Sequence, residues 1–442
     1  MTRETRRILR AKVDCRRRHQ SLDGFGVNIN SKCWNDGALE PVMGTLVDDL
    51  GATLFRQDVC GRSDWPDPRN EMSAAKALSD GHLERTYAGV DFRNGMGMGK
   101  HLNRRGIEPY MTLSGVVPKW MCAPDGSTLK DFRAFAEMAA SFAEWARKEA
   151  GIRYTLFGPM NETDIGPPEG PKAGPKEYVR ACETLIEALD RRGLKDLKLV
   201  VAEQAHFNLD YVRAFLSRPR LCPRIGVFAM HKYGDGRMEA AVSLVRKGPA
   251  RDARVWMTEF GDLEQGGDRE WLTAWVIFRR LMDTISDGYN AALNWDAFDN
   301  YHDHDESWSI YGLIRYGLRT WTPKKRFYAM KQAYRFIRPG AILVETEQPD
   351  RDVRLQAFMS PDGDHLTVTG MNDSEQGAVI EVTAAGLDEG RFPRRALVCA
   401  TTVDLDCATL AETQAVPTNW PKGVRMEFTV PPASIFTAST VR

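Results

Sequence analysis

The chain has no surplus of either charge, with sixty Lys and Arg against sixty Asp and Glu. Such a surface carries no net field to draw a polyanion, which argues against nucleic acid as the main partner. The only basic runs, Arg6 to Arg10 and Arg16 to Arg18, flank an apolar alternation and read as the solvated face of a strand. No stretch approaches the roughly 20 apolar residues that span a bilayer, so no membrane partner is expected. Met1 to Lys12 has charges but no apolar core of a leader, and a cytoplasmic protein is expected. The eight cysteines (Cys15, Cys33, Cys60, Cys122, Cys182, Cys222, Cys399, Cys407) show no CxxC or other close metal-ligand spacing and read as reduced apolar fillers. Internal repeats and low-complexity linkers are also lacking.

What is present is a 442-residue chain, 43% hydrophobic, that can bury a large core. From residue 24 to about 334, short apolar runs alternate with helical patterns eight times. The expected strands are 24–29, 53–58, 107–113, 154–159, 197–202, 226–231, 254–259 and 290–295; the clearest helices are 131–148, 175–192, 268–286 and 324–336. Continuous apolar strands between helices imply a parallel sheet covered on both faces, and eight units imply closure into a (β/α)8 TIM barrel. An open doubly wound sheet would more usually carry a glycine fingerprint after its first strand, where this chain reads Val27-Asn28-Ile29-Asn30-Ser31. Gly95, Gly97 and Gly99 before Lys100 lack the spacing and the Ser or Thr of a phosphate loop. Beyond Arg338-Pro339-Gly340 the period changes to two, in runs such as 353–358, 365–370, 379–382 and 425–430. This predicts an antiparallel β-sandwich over 337–442, a barrel over 20–336, and an amino-terminal strand within 1–19 (Ile8 to Val13) that joins the sandwich.

In such a barrel the chemistry sits at the carboxyl ends of the strands. The fourth run delivers Asn161-Glu162 and the seventh delivers Glu259 to the same mouth. Two facing carboxyls are what glycoside cleavage needs, one protonated to release the leaving oxygen and one ionised to attack the anomeric carbon. A second Asn-Glu pair, Asn70-Glu71, has no apolar strand ahead of it. Arg56 ends the second strand and is expected to hold the nucleophilic carboxylate ionised, lowering its pKa. His231 and Tyr233 end the sixth, where a phenol could reach Glu259. Trp120 follows the third strand and Trp295 closes the eighth, and their flat faces suit sugar rings.

Gly24-Phe25-Gly26, the Arg56 strand, Ser114 through Trp120 with Pro118, Asn161-Glu162, Glu259 and the exit Phe336-Ile337-Arg338-Pro339-Gly340 together resemble the clan A retaining glycoside hydrolases, most closely family 30, with families 5 and 39 sharing the two glutamates. The resemblance spans nearly the whole chain. It implies Glu162 as general acid/base, Glu259 as nucleophile, and Asn161 on the sugar 2-hydroxyl, with His231 and Tyr233 around the nucleophile. It further implies a β-linked carbohydrate substrate and a double displacement needing no cofactor. Val27-Asn28-Ile29-Asn30 and the segment 58–70 depart from the family pattern. Cytoplasmic residence would favour small glycosides over a polymer. Two other readings stay open. A metal-dependent barrel hydrolase could draw ligands from His206, His231, Glu259 and the segment His302 to Glu306. A sugar-binding barrel without turnover is the second.

Overall fold

A computed structural model describes residues 7–58, 76, 78–263, 269–302, 307–317, 320–387, 390–419 and 422–441. After an amino-terminal strand β1 (Arg7–Ser21), eight parallel strands close on one another in chain order: β2 (Gly24–Asn30), β3 (Leu54–Asp58), β4 (Tyr110–Thr112), β5 (Leu156–Gly158), β6 (Lys198–Val201), β7 (Ile225–Lys232), β8 (Arg254–Phe260) and β9 (Ala291–Asn294). β9 pairs back onto β2, from Gly24 opposite Ala291 to Val27 opposite Asn294. The TIM barrel expected from the eight apolar runs is therefore present. The runs are apolar throughout because both faces of each strand are buried. Phe25, Val27, Phe55, Phe228 and Met257 face the helical layer, while Tyr110, Val200, Val227, Ala229, Trp256, Ala291 and Leu293 fill the barrel axis.

The helices follow the 3.6-residue stripes. Phe132–Lys148, Pro175–Arg191, Glu270–Ser286 and Lys325–Tyr334 occupy the expected positions. Asp131 caps the first by accepting from the Ala134 amide at 2.9 Å. The glycine cluster lies inside helix Val90–Arg104 and serves packing: a Cβ on Gly97 would sit 2.3 Å from Trp34 Nε1. No described helix is long and apolar enough to cross a membrane.

Beyond the carboxyl end of β9 come two hairpins, β10 (Asn300–His302) with β11 (Ser307–Ser309) and β12 (Ile314–Gly317) with β13 (Thr320–Pro323). The remaining strands are β14 (Ile342–Thr346), β15 (Val353–Met359), β16 (Leu366–Asn372), β17 (Ala378–Ala385), β18 (Arg395–Thr401), β19 (Ala408–Asn419), β20 (Lys422–Val430) and β21 (Ser434–Ser439). With β1 they form a nine-stranded circuit that closes on itself, in the order β1-β14-β15-β16-β21-β18-β19-β20-β17. This refines the expected antiparallel sandwich in two ways. The sheet has no open edge, and β1 is parallel to β17 over Arg7 to Asp14 while antiparallel to β14. Closure satisfies the backbone groups that two edge strands would expose. Helix Lys325–Tyr334 ties the two bodies together. The Tyr334 hydroxyl donates to Gly26 O at 2.9 Å, Gln332 Nε2 donates to Thr401 Oγ1 at 2.9 Å, and the Thr437 hydroxyl donates to Gln332 O at 2.7 Å.

Because a Gly97 side chain collides with a buried indole, Gly97→Ala is expected to cost about 1–3 kcal/mol of unfolding free energy in urea titration. An unchanged midpoint would show that Trp34 is free to yield.

Candidate active site

Strand alternation delivers the first members of the site. Asn28, Arg56, Tyr110 and His231 each share the inward phase of their strand, so their polar ends meet at the top of the axial core. Three acids reach the same spot only where regularity breaks. On β8, Trp256 faces inward, and strict alternation would turn Glu259 outward with Met257. The register slips between Met230/Met257 and His231/Glu259, and this bulge brings Glu259 beside His231. Past β6, Ala202 is left-handed at φ 68°, turning Glu203 inward. Past β5, Glu162 itself is left-handed at φ 40°, and its amide donates to Glu203 O at 2.9 Å. Non-glycine residues held at positive φ concentrate backbone strain at this site.

Arg56 stands at the centre and is 2% exposed. Its Nη1 donates to Glu259 Oε1 at 2.6 Å and to Asn28 Oδ1 at 2.9 Å, and its Nη2 donates to Asn161 Oδ1 at 2.7 Å. Its Nε lies 3.2 Å from Glu203 Oε1. The Tyr233 hydroxyl donates to the other oxygen of Glu259 at 2.6 Å. His231 Nδ1 is 2.7 Å from Glu162 Oε1 and 3.5 Å from Glu259 Oε2. Asn28 Nδ2 donates to the Thr258 and Asn294 carbonyls, tying the network to β8 and β9.

Burial sets the acid–base character here, and its largest effect runs against the charged forms. It pushes the Glu259 carboxyl up, and this outweighs the downward pull of His231 and Arg56, so the pKa lies above the usual range. Arg56 therefore moderates the acidity of Glu259 without producing the net lowering expected from sequence. For Glu203 the balance goes the other way: burial raises it, but Arg56 and His231 bring it below the ordinary value. Burial also opposes charge on His231, yet Glu259, Glu162 and Glu203 together push its pKa up to about 10. The Tyr233 phenol is raised by burial and by Glu259, so it serves as a donor.

Six of the eight expected residues thus converge: Arg56, Asn161, Glu162, His231, Tyr233 and Glu259. Trp295 follows β9, half-buried, its amide bonded to Phe260 O at 2.8 Å. Gly261 lets the chain pass close to that residue's carbonyl, since a Cβ there would be 2.7 Å from Trp295 O. Trp120 sits half-buried in a short turn, Lys119–Met121, packed on the barrel core. Sequence reasoning missed Glu203, Asn28 and Tyr110 as site members. Asn28 carried a findable signal, a polar residue near the carboxyl end of a barrel strand.

Among the described residues the metal-hydrolase set does not assemble. His206 is exposed and paired with Asp164 at 3.1 Å, and residues 303–306 lie outside the described residues. His231, Glu162 and Glu259 could each offer one donor atom, all within 4.8 Å of one another. Both oxygens of Glu259 are already engaged, by Arg56 and by Tyr233. A divalent ion would have to share a carboxylate with a guanidinium 2.6 Å away, which fits a metal centre poorly.

No family model matches the chain and no curated protein matches it. Solved structures do. A glycoside hydrolase family 30 subfamily 8 xylanase from Clostridium acetobutylicum superposes with a TM-score of 0.74 at 17% identity, over 97% of this chain and 98% of that one. A family 30 endoxylanase from Clostridium papyrosolvens gives 0.74 at 16%, covering 98% and 100%. A monomeric β-xylosidase from Caulobacter crescentus gives 0.63 at 13%, covering 98% and 99%. At these identities the likeness establishes a shared fold of barrel and β domain.

Replacing Arg56 with Leu strands two buried carboxylates and is expected to cost about 3–5 kcal/mol in denaturant unfolding. Tyr233→Phe removes one hydrogen bond and should cost about 1 kcal/mol. Equal stability of Arg56→Leu and the parent would contradict the central role given to the guanidinium.

Proposed function

We propose that the chain is a family 30 retaining glycoside hydrolase that cleaves a β-linked glycoside by double displacement. The observation that carries this reading is the closeness of the two catalytic acids: oxygens of Glu162 and Glu259 lie within 4.8 Å of one another. Retaining enzymes hold their carboxyls about 5–5.5 Å apart, whereas inverting enzymes leave about 6.5–9.5 Å to admit a water. Facing oxygens this close favour the retaining arrangement. Glu259, oriented through one oxygen by Arg56 and through the other by Tyr233, attacks the anomeric carbon. Glu162 gives its proton to the departing oxygen, then takes one from the water that releases the sugar. Asn161 Oδ1 accepts from Arg56, which fixes the amide so that its Nδ2 can donate to the sugar 2-hydroxyl. Trp120 and Trp295 offer aromatic faces for adjoining rings.

The superposed structures named as xylanases and a β-xylosidase make a xylo-configured substrate the first to try. The intact ion network speaks against a binding-only barrel, since Glu259 is held by two donors and Glu162 by one, a costly arrangement to keep without chemistry.

The test is turnover of aryl β-glycosides and xylo-oligosaccharides by the wild type, Glu259→Gln and Glu162→Gln. Glu259→Gln should abolish cleavage. Glu162→Gln should fall about 10²–10⁴-fold on poor leaving groups, and on activated aryl glycosides, whose departure needs no acid, azide should restore turnover as a β-glycosyl azide. Cleavage that survives in both variants would refute the assignment. The pH profile follows from Glu259. Only its ionised form attacks and burial raises its pKa, so kcat/KM should fall on the acid side at a pH above the ordinary glutamate value of about 4.3. An acid limb below that value would contradict the electrostatics of the site.

A further inference from the structure

Beneath the two catalytic acids lies a third carboxylate that the double displacement does not use. Glu203 is fully buried, with 0% of its surface exposed. Its Oε2 accepts from the Tyr110 hydroxyl at 2.5 Å. Gly158 makes room for this bond, since a Cβ there would be 2.6 Å from the Tyr110 hydroxyl and 3.0 Å from Glu203 Oε2. Its other oxygen is 3.2 Å from Arg56 Nε and 3.8 Å from His231 Nε2. Those three atoms are all buried and none makes a hydrogen bond, so they face one another as bare charges. A carboxylate between two cations in a low-dielectric site acts through its charge.

Counting charge shows what that does. The site contains two cationic groups, Arg56 and His231, and three carboxyls, Glu162, Glu203 and Glu259. If Glu203 and Glu259 are ionised, the two cations are balanced, and the third carboxyl can stay neutral with its proton. That is the resting state a double displacement requires. We infer that Glu203 is a positioning residue: its charge keeps His231 doubly protonated, so that Nδ1–H donates to Glu162 Oε1 and leaves the acid proton of Glu162 on Oε2. Without Glu203 the cations outnumber the remaining fixed charge, and His231 gives up a proton more readily. The inference rests on the glycosidase reading only for its kinetic consequence. Other polar groups face the pair from each packed element: Arg56 on β3, Tyr110 on β4, Tyr178 on helix Pro175–Arg191, Tyr233 after β7 and Glu259 on β8. Glu203→Gln leaves all of them in place and retains an acceptor for Tyr110.

The experiment has two readouts. In ¹⁵N NMR of wild-type enzyme with labelled histidine, the His231 ring, assigned by its loss in His231→Gln, should show two protonated nitrogens at pH 7. In Glu203→Gln it should titrate lower by about one pH unit or more. A neutral His231 ring in the wild type overturns the proposal without any variant. The second readout is the pH dependence of kcat/KM on the best substrate of the glycoside panel. In Glu203→Gln the alkaline limb should move toward acid by about one unit, as the His231 proton is lost more readily. A variant that loses rate with both limbs unmoved would make Glu203 merely structural and overturn the proposal. If no glycoside is cleaved but the His231 titration behaves as stated, the charge assignment stands and the glycosidase reading fails.

Discussion

The site depends on one buried guanidinium. Arg56 places two donors on Glu259 and Asn28 and one on Asn161, and sets its Nε against Glu203. A cation excluded from water survives only with matched partners, and each partner here comes from a different strand or strand end. The geometry of four barrel strands is thereby coupled through a single planar fork, whose directional donors hold a carboxylate more rigidly than a lysine could. The Glu259 carboxylate and the Asn161 amide are thereby held in fixed orientations side by side.

Around that fork, regular and irregular backbone divide the work. Groups that bind or orient, Asn28, Arg56, Tyr110 and His231, come from ordinary alternation and cost nothing beyond burial. The acids come from departures: a bulge for Glu259 and left-handed residues at Ala202 and Glu162. A barrel strand supplies one inward side chain every second residue. Crowding three carboxyls around one imidazole exceeds what that period allows, so the backbone bends to deliver them. The helix Lys325–Tyr334, which bonds to both Gly26 and Thr437, ties the barrel to the closed β circuit.

Much of this was legible in the sequence, for a physical reason. Strands buried on both faces must be apolar throughout, so eight such runs announced the barrel and their ends located Glu162, Glu259 and Arg56. Glu203 escaped because Ala202-Glu203-Gln204-Ala205 reads like the polar start of a loop. Only the left-handed turn at Ala202, invisible in composition, brings it beneath the site. The sign of the Glu259 shift also escaped, since sequence shows which cation is near but not how completely water is excluded. In the β domain, β14, β18, β19 and β21 were not singled out; β19 has exposed, mixed polar positions that blur a period of two. The parallel partnership of β1 with β17 depends on sheet closure, which no local pattern encodes.

The account stands most directly on the stereochemistry of the first bond broken. Proton NMR of the anomeric region, recorded during the first minutes of hydrolysis of a cleaved β-glycoside, separates the initial product from its mutarotated form. Glu162 and Glu259 held this close predict that the β-anomer of the released sugar appears first and the α-anomer only later. An α-anomer formed first would mean that water attacks directly, and Glu259 could not then be the nucleophile.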